Sequence, residues 1–349
     1  MNLKILYLYA EVMGYTMATI EKLSSFYGAE VHVVHWDKKR QTPYEPEKRY
    51  NVHFYPRSSL TKKEMIELAI KIKPQIVVIS GWQDRGYLGV ARVLRSMRIP
   101  VVSCFDDQWQ GSMRQCIASY CSFLLKRYFS HAWVAGPMQY EYARRLGFEK
   151  KKIIFNLLSA DIKKWNSAYD RYIKGKSMRY PHVFLYVGRF EKVKGLDLLI
   201  NVWNRLYGKR KDWRLKIIGC GSMEKSLKNY NDVDVLEFLH PNKLVNEIEN
   251  AGCFVLPSRH EPWGVVLQEF AAGGLPILCS DACGAATMFL INNMNGFSFA
   301  SGDEESLKKQ MEKVMELKDW ELLNMAKRSH LIGQCIDPDI SAANLMSIL

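Results

Sequence analysis

The chain has 349 residues, enough for two domains of ordinary size, and its 48% hydrophobic and 24% charged residues are the balance of a globular protein. No apolar run approaches the roughly 20 residues of a membrane span. The opening "MNLKILYLYAEVMG" lacks the cleavage pattern of a secretory leader, so a cytoplasmic protein with reduced thiols is expected. The net charge of +13 (49 basic minus 36 acidic) is uneven. Residues 1–160 hold 24 Lys+Arg and 13 Asp+Glu, or +11, which leaves 25 and 23, or +2, for the rest. Clusters such as "DKKR" (37–40), "KR" (126–127) and "EKKKI" (149–153) carry the excess. A solvated face, an anionic membrane surface, a phosphate-bearing acceptor or nucleic acid would each account for it.

Short apolar runs alternate with helical patterns along the first half. "LKILYLY" (3–9), "EVHVVHW" (30–36), "QIVVIS" (75–80), "IPVVSCF" (99–105) and "HAWVAG" (131–136) read as strands, with helices over Lys62–Ile72 and Tyr87–Met97 among the stretches between them. A polar loop, "SCFDDQWQGSMRQC" (103–116), follows one strand and is a plausible site edge. Residues 161–180, basic, aromatic and without a strand pattern, read as a linker. Then "HVFLYVG" (182–188), "WRLKIIG" (213–219), "DVLEFL" (234–239), "CFVLPS" (253–258) and "PILCS" (276–280) repeat the habit. Strands that are apolar throughout and separated by helices imply parallel sheets covered on both faces. Two such series predict two doubly wound, Rossmann-like α/β domains, over 1–160 and 181–335, with a ligand crevice where the two sheets face each other.

Three stretches carry chemistry. In "YVGRFEKVKGLDLLI" (186–200) a strand ends at Gly188, and Arg189 and Lys194 follow, two cations placed to meet an anion at the carboxyl end of a strand. In "IIGCGS" (217–222) a strand runs into Gly219, where a missing side chain lets a ligand approach the backbone. In "SRHEPWGVVLQEFAAGGLP" (258–276) Pro262 suits the first turn of a helix that Gly273 and Gly274 stop. The amides of Gly264, Val265 and Val266 would stand free at that helix start and form an anion site. Glu261 and Glu269, eight positions apart, would be separated by about 12 Å of helix rise. They could bracket a diphosphate and take hydroxyl groups at either end.

Together these residues resemble glycosyltransferase family 4, retaining enzymes of the GT-B fold. The likeness rests on "GRFEKVKG", "GCGS", "LPSRHEPWGVVLQEFAAGGLPI", "SDACGA", "NMNGFSF" (293–299) and, in the first half, "HAWVAGPMQYEYARRLGF" (131–148). It implies that Arg189 and Lys194 bind the donor diphosphate and stabilise the leaving group without a metal. It implies that Glu269 accepts hydrogen bonds from the donor ribose, that Glu261 contacts the transferred sugar, and that the amides of Gly264, Val265 and Val266 hold the distal phosphate or sugar. Leu239 and His240, in "FLHPNK" (238–243), occupy the place where that family seats the nucleobase. Gly14, in "EVMGYT", matches the glycine of a first loop that approaches the donor, although Met13 replaces the usual second glycine. Asp106 stands where many relatives carry a histidine near the anomeric carbon, and could orient an acceptor hydroxyl or take its proton.

The implied activity is sugar transfer from a nucleotide diphosphate donor, with no cofactor, to a saccharide or lipid-linked acceptor, of the kind used in bacterial surface polysaccharide synthesis. The basic first half suggests an enzyme at the inner face of the cell membrane. Nucleotide-sugar epimerisation, which needs no acceptor, is a rival within the same fold, and nucleic-acid binding a rival from another class. "DPD" (337–339) resembles a metal-binding Asp-x-Asp, but Asp337 and Asp339 read better as caps of a last helix, within 338–349, that returns to the first domain.

Overall fold

Strands whose residues are apolar on both faces have no stable place except the middle of a covered sheet. Ile76–Ile79, four β-branched residues in succession, is fully buried and lies near the centre of the first of two all-parallel sheets. In this computed structural model, which describes residues 3–38, 46–210, 212–227 and 232–349, the chain forms two units. Lys39 and Arg40 of the basic cluster at 37–40 lie outside the described residues.

The first unit comprises Met1–Ser159 and Ile336–Leu349. Its strands are β1 (Lys4–Tyr9), β2 (Glu30–His35), β3 (Val52–Pro56), β4 (Ile76–Ile79), β5 (Val101–Phe105), β6 (His131–Val134) and β7 (Ile153–Ile154), in the spatial order β3-β2-β1-β4-β5-β6-β7. Helices cover both faces, each begun by local chemistry. Thr61 and Glu64 form a reciprocal capping box at Lys62–Ile72, and Asp84 accepts from the amides of Gly86 and Tyr87 at Arg85–Ser96. The helix Pro338–Met346 packs on Gly14–Ser25. Asp337 caps it, accepting from the amide of Ile340 at 2.7 Å, while Asp339 in its first turn pairs with Lys22 at 2.8 Å.

The second unit, Ala160–Cys335, contains β8 (Val183–Val187), β9 (Arg214–Ile218), β10 (Val233–Leu236), β11 (Cys253–Leu256), β12 (Ile277–Ser280) and β13 (Gly296–Phe299), in the order β10-β9-β8-β11-β12-β13. Residues 161–180 are not a loose linker. They hold the 17-residue helix Ile162–Met178, whose buried Trp165 meets Phe270 edge-on at 5.1 Å between ring centres. An aromatic at helical spacing carries that segment into the unit's core, which its basic composition conceals. Tyr180, Phe184, Tyr186, Trp203, Trp213 and Phe297 anchor the core around this sheet.

Candidate donor and acceptor sites

In both sheets the strand order reverses once, between β1 and β4 and between β8 and β11. Open α/β sheets bind ligands at the carboxyl ends of strands beside such a reversal, because neighbouring connections leave to opposite faces and open a crevice.

At the second unit's reversal the loop after β8 begins Gly188-Arg189, turns over Lys192–Lys194 and enters the helix Leu196–Arg205. Gly195 makes the entry with φ +68°, and a Cβ there would stand 1.9 Å from the carbonyl oxygen of Pro257. The loop is therefore pressed against the end of β11. Arg259 fixes it further: its amide donates to Val193 O at 2.8 Å and its guanidinium grips Asp197 through two bonds of 2.6 and 2.9 Å. This Arg259–Asp197 clamp escapes sequence reading because its halves lie 62 positions apart.

Lys194 Nζ lies 2.6 Å from Glu261 Oε2, which also accepts from Ser258 Oγ at 3.0 Å. Glu261 is buried, and its backbone is held by the segment 282–284: its amide donates to Ala282 O and its carbonyl accepts from Gly284. Arg189 is half-buried, and among the described residues its guanidinium has no hydrogen-bond or ion-pair partner. Its carbonyl accepts from Tyr186 Oη at 2.8 Å, which anchors the backbone while leaving the side chain unengaged.

The helix expected to start at Pro262 starts instead at Val265 and runs to Ala272. Gly264 takes φ +92°, a left-handed conformation that no helix passes through, so residues 261–264 are irregular and the 12 Å helical separation of Glu261 from Glu269 does not apply. A Cβ on Gly264 would stand 2.9 Å from Glu261 Cγ and 3.1 Å from Cys283 Sγ, so the turn closes onto the buried carboxylate. None of the amides of Gly264, Val265 and Val266 donates to a described acceptor. The helix is fixed from behind by buried Gln268, which accepts from Ala160 N at 2.8 Å and donates to Gly333 O at 3.1 Å. Glu269 is partly buried, and loss of hydration pushes its carboxyl up to about 7, with Lys164 opposing and Asp161 adding to the rise.

Gly219, after β9, has φ +154°, and a Cβ there would lie 1.9 Å from Gly188 O. Its missing side chain admits the neighbouring loop. Ser222 continues that junction, donating to Glu191 through both its amide (3.1 Å) and its hydroxyl (2.7 Å). Leu239 and His240 follow β10. Leu239 is half-buried, and exposed His240 caps the short helix Pro241–Leu244.

In the first unit Gly14 opens the helix Gly14–Ser25, and Met13 before it supplies no side-chain cap. Asp106 directly follows β5, is exposed, and lines a cavity of about 280 Å³ with Ser80, Gln83, Cys104, Gln115 and Tyr142. Its carbonyl accepts from buried Gln139 at 3.1 Å.

Residues 174–330 match the family model described as "Glycosyl transferases group 1". Over its whole length the chain superposes on Anabaena HepE, solved in complex with UDP and glucose, with a TM-score of 0.74 at 15% identity, covering 99% of each chain. The fold is that of the GT-B glycosyltransferases. Among sequence relatives, the capsular polysaccharide biosynthesis glycosyltransferase CapM of Staphylococcus aureus is 25% identical over 321 residues, 82% of this chain and 80% of that protein. An uncharacterized glycosyltransferase of Haemophilus influenzae is 29% identical over 155 residues, 43% of this chain and 44% of that one. The match thus spans less than half the length of the Haemophilus protein. The family model and the sequence relatives support a glycosyltransferase enzyme.

Proposed function

We propose that the chain is a retaining glycosyltransferase of family 4 type, moving a sugar from a nucleotide diphosphate donor to a hydroxyl of a saccharide or lipid-linked acceptor. One observation carries the reading. At the β8/β11 reversal an unpartnered guanidinium, a nearby ammonium and the open amides of residues 264–266 supply positive potential, while the loop acids Glu191 and Asp197 are held by Ser222 and Arg259. That is the environment a leaving diphosphate needs as charge develops on it. Arg189 and Lys194 take the phosphates without a resident metal, Glu261 the hydroxyls of the transferred sugar, Glu269 the ribose, and the loop at Leu239 and His240 the base. Asp106 orients or deprotonates the acceptor. The HepE complex with UDP and glucose and the naming of CapM for capsular polysaccharide support a nucleotide-sugar donor and a surface-polysaccharide product. The comparisons support neither epimerisation nor nucleic-acid binding.

A thermal-shift screen against UDP, GDP, ADP and their sugars tests the donor. A ligand at 100 times its dissociation constant stabilises by about 2.7 kcal/mol. No shift with any of them, or equal shifts in Arg189→Ala, would overturn the assignment.

The first unit also supports working at an anionic membrane. No helix among the described residues is long and apolar enough to cross one. Met113, Ile117, Tyr120 and Phe123 are nevertheless exposed, interleaved with Arg114, Lys126 and Arg127, and no carboxylate occurs from Gln108 to Tyr140. Apolar side chains inserting between headgroups, with cations at the surface, would hold the enzyme beside a lipid-linked acceptor. Salt-sensitive co-sedimentation with anionic but not zwitterionic liposomes, lost in Ile117→Glu/Phe123→Glu, is expected; indifference to lipid charge refutes this surface.

A further inference from the structure

Glu30, His32 and His53 converge near the amino ends of β2 and β3, the opposite end of the first unit's sheet from Gly14 and Asp106. The register dictates the meeting. Glu30 and His32 are two apart on β2, so their side chains share a face, and His53 on β3 is the direct partner of His32. The two imidazoles stack with ring centres 4.9 Å apart and planes 24° from parallel. Glu30 Oε1 lies 3.2 Å from His32 Nε2 and 3.4 Å from His53 Nε2. These separations match the edges, about 3.4 Å, of a tetrahedron whose bonds are about 2.1 Å long, the usual zinc–nitrogen and zinc–oxygen distance.

A second, independent observation concerns His32. It is only 6% exposed, and its Nε2 makes no well-aligned hydrogen bond although Glu30 Oε1 stands 3.2 Å away. An unsatisfied buried nitrogen costs free energy unless something else occupies its lone pair. The surroundings suit a metal ligand. Tyr55 Oη lies 3.0 Å from His32 Nδ1 and can accept its proton, the arrangement that leaves the Nε2 lone pair for coordination. Lys4 holds the other carboxylate oxygen, Oε2, at 3.1 Å and turns Oε1 toward the imidazoles. His53 is half-exposed, giving an entry path and water for a fourth position.

We propose that Glu30, His32 and His53 form a binding site for a divalent transition cation of the zinc class, remote from sugar transfer, that staples edge strand β3 to β2. Two imidazoles and one carboxylate favour zinc, cobalt, nickel or copper over magnesium or calcium. Because a preformed site exists only in the folded chain, binding adds directly to stability.

The test uses the full chain after chelator treatment, with Co²⁺ and Zn²⁺ as probes. Co²⁺ should bind one per chain with a visible absorption band of low coordination number, Zn²⁺ should displace it, and both should raise the unfolding midpoint. His53→Ala should weaken binding at least tenfold and abolish the midpoint rise while the metal-free midpoint stays at the wild-type value. Tyr55→Phe should weaken binding about tenfold through loss of the ring-orienting bond. Unchanged Co²⁺ binding in His53→Ala, or no saturable binding by the wild type, overturns the site. Donor binding is measured in the same samples. Its failure would count against the glycosyltransferase reading and leave this result untouched.

Discussion

Lys194 Nζ and Glu261 Oε2 are 2.6 Å apart, with the two side chains 14% and 9% exposed. The ammonium assigned to the diphosphate therefore leans on the carboxylate assigned to the sugar, and donor entry must redistribute that contact. Ser258 Oγ, 3.0 Å from the same oxygen, would remain a partner for Glu261 if the lysine turned to phosphate. Removing one partner of a buried pair strands the other charge. Lys194→Ala should lower stability by about 3 kcal/mol. Lys194→Met combined with Glu261→Gln should recover most of that loss but no turnover. Denaturant unfolding beside activity assays separates the effects, and a double variant as unstable as Lys194→Ala would show that the pair is not what stabilises the loop.

Arg189 gives the complementary case. With no described protein partner to lose, Arg189→Ala should leave the unfolding midpoint nearly unchanged. Turnover should fall by about 10²–10³, or about 2.7–4 kcal/mol, as for a removed oxyanion donor. Turnover within threefold of wild type would remove the guanidinium from the leaving-group site.

Glu269 should make both stability and donor affinity depend on pH. Its folded value, pushed up to about 7, exceeds the ordinary value near 4.5, so the folded chain holds the proton more tightly than the unfolded one. The stability linked to that proton is complete below about 4.5 and is lost as pH rises through 7. Glu269→Gln should thus raise the unfolding midpoint relative to wild type at pH 8 and change it little at pH 4.5. Ribose hydroxyls donating to the carboxylate favour its ionised form, so donor binding should release a proton and tighten between pH 6 and 8. Calorimetry in buffers of different ionisation enthalpy measures that release. Proton uptake, or none, would contradict the ribose contact.

Gly219→Ala should be destabilising even though the position looks ligand-facing in sequence. The added Cβ would meet Gly188 O at 1.9 Å, and the backbone holds φ +154°. Strain and overlap together should cost at least about 2 kcal/mol. A variant as stable as wild type, with weaker donor binding alone, would restore a direct ligand role for this glycine.

Much of the architecture was legible because the strands are buried on both faces. Runs such as Ile76–Ile79 and Cys253–Leu256 announce themselves without alternation. The edge strand β3 does not: His53, Tyr55 and Pro56 dilute its pattern, since one side of an edge has no neighbour to satisfy. Within the candidate site, Glu261, Gly264 and Glu269 stand close in sequence and could be read together. The helix start between them was misplaced because Pro262 is a normal first-turn signal, while the conformation of Gly264 that overrides it is set by Glu261 and Cys283 packing around it. The pairs Lys194–Glu261 and Arg259–Asp197 join residues 67 and 62 positions apart and leave no local trace.

The first unit is assembled from two separated pieces of chain, whereas the second is one unbroken stretch. Ala342 and Leu345, fully buried in the last helix, rest in a part of the fold whose other residues are translated first. On the ribosome that part emerges early and waits, its first helix bare on the side that the final residues will cover, until the whole of the other has been made. Chaperone demand should fall on this interval, and a fragment of residues 160–335 should be simpler to produce alone than one of residues 1–159.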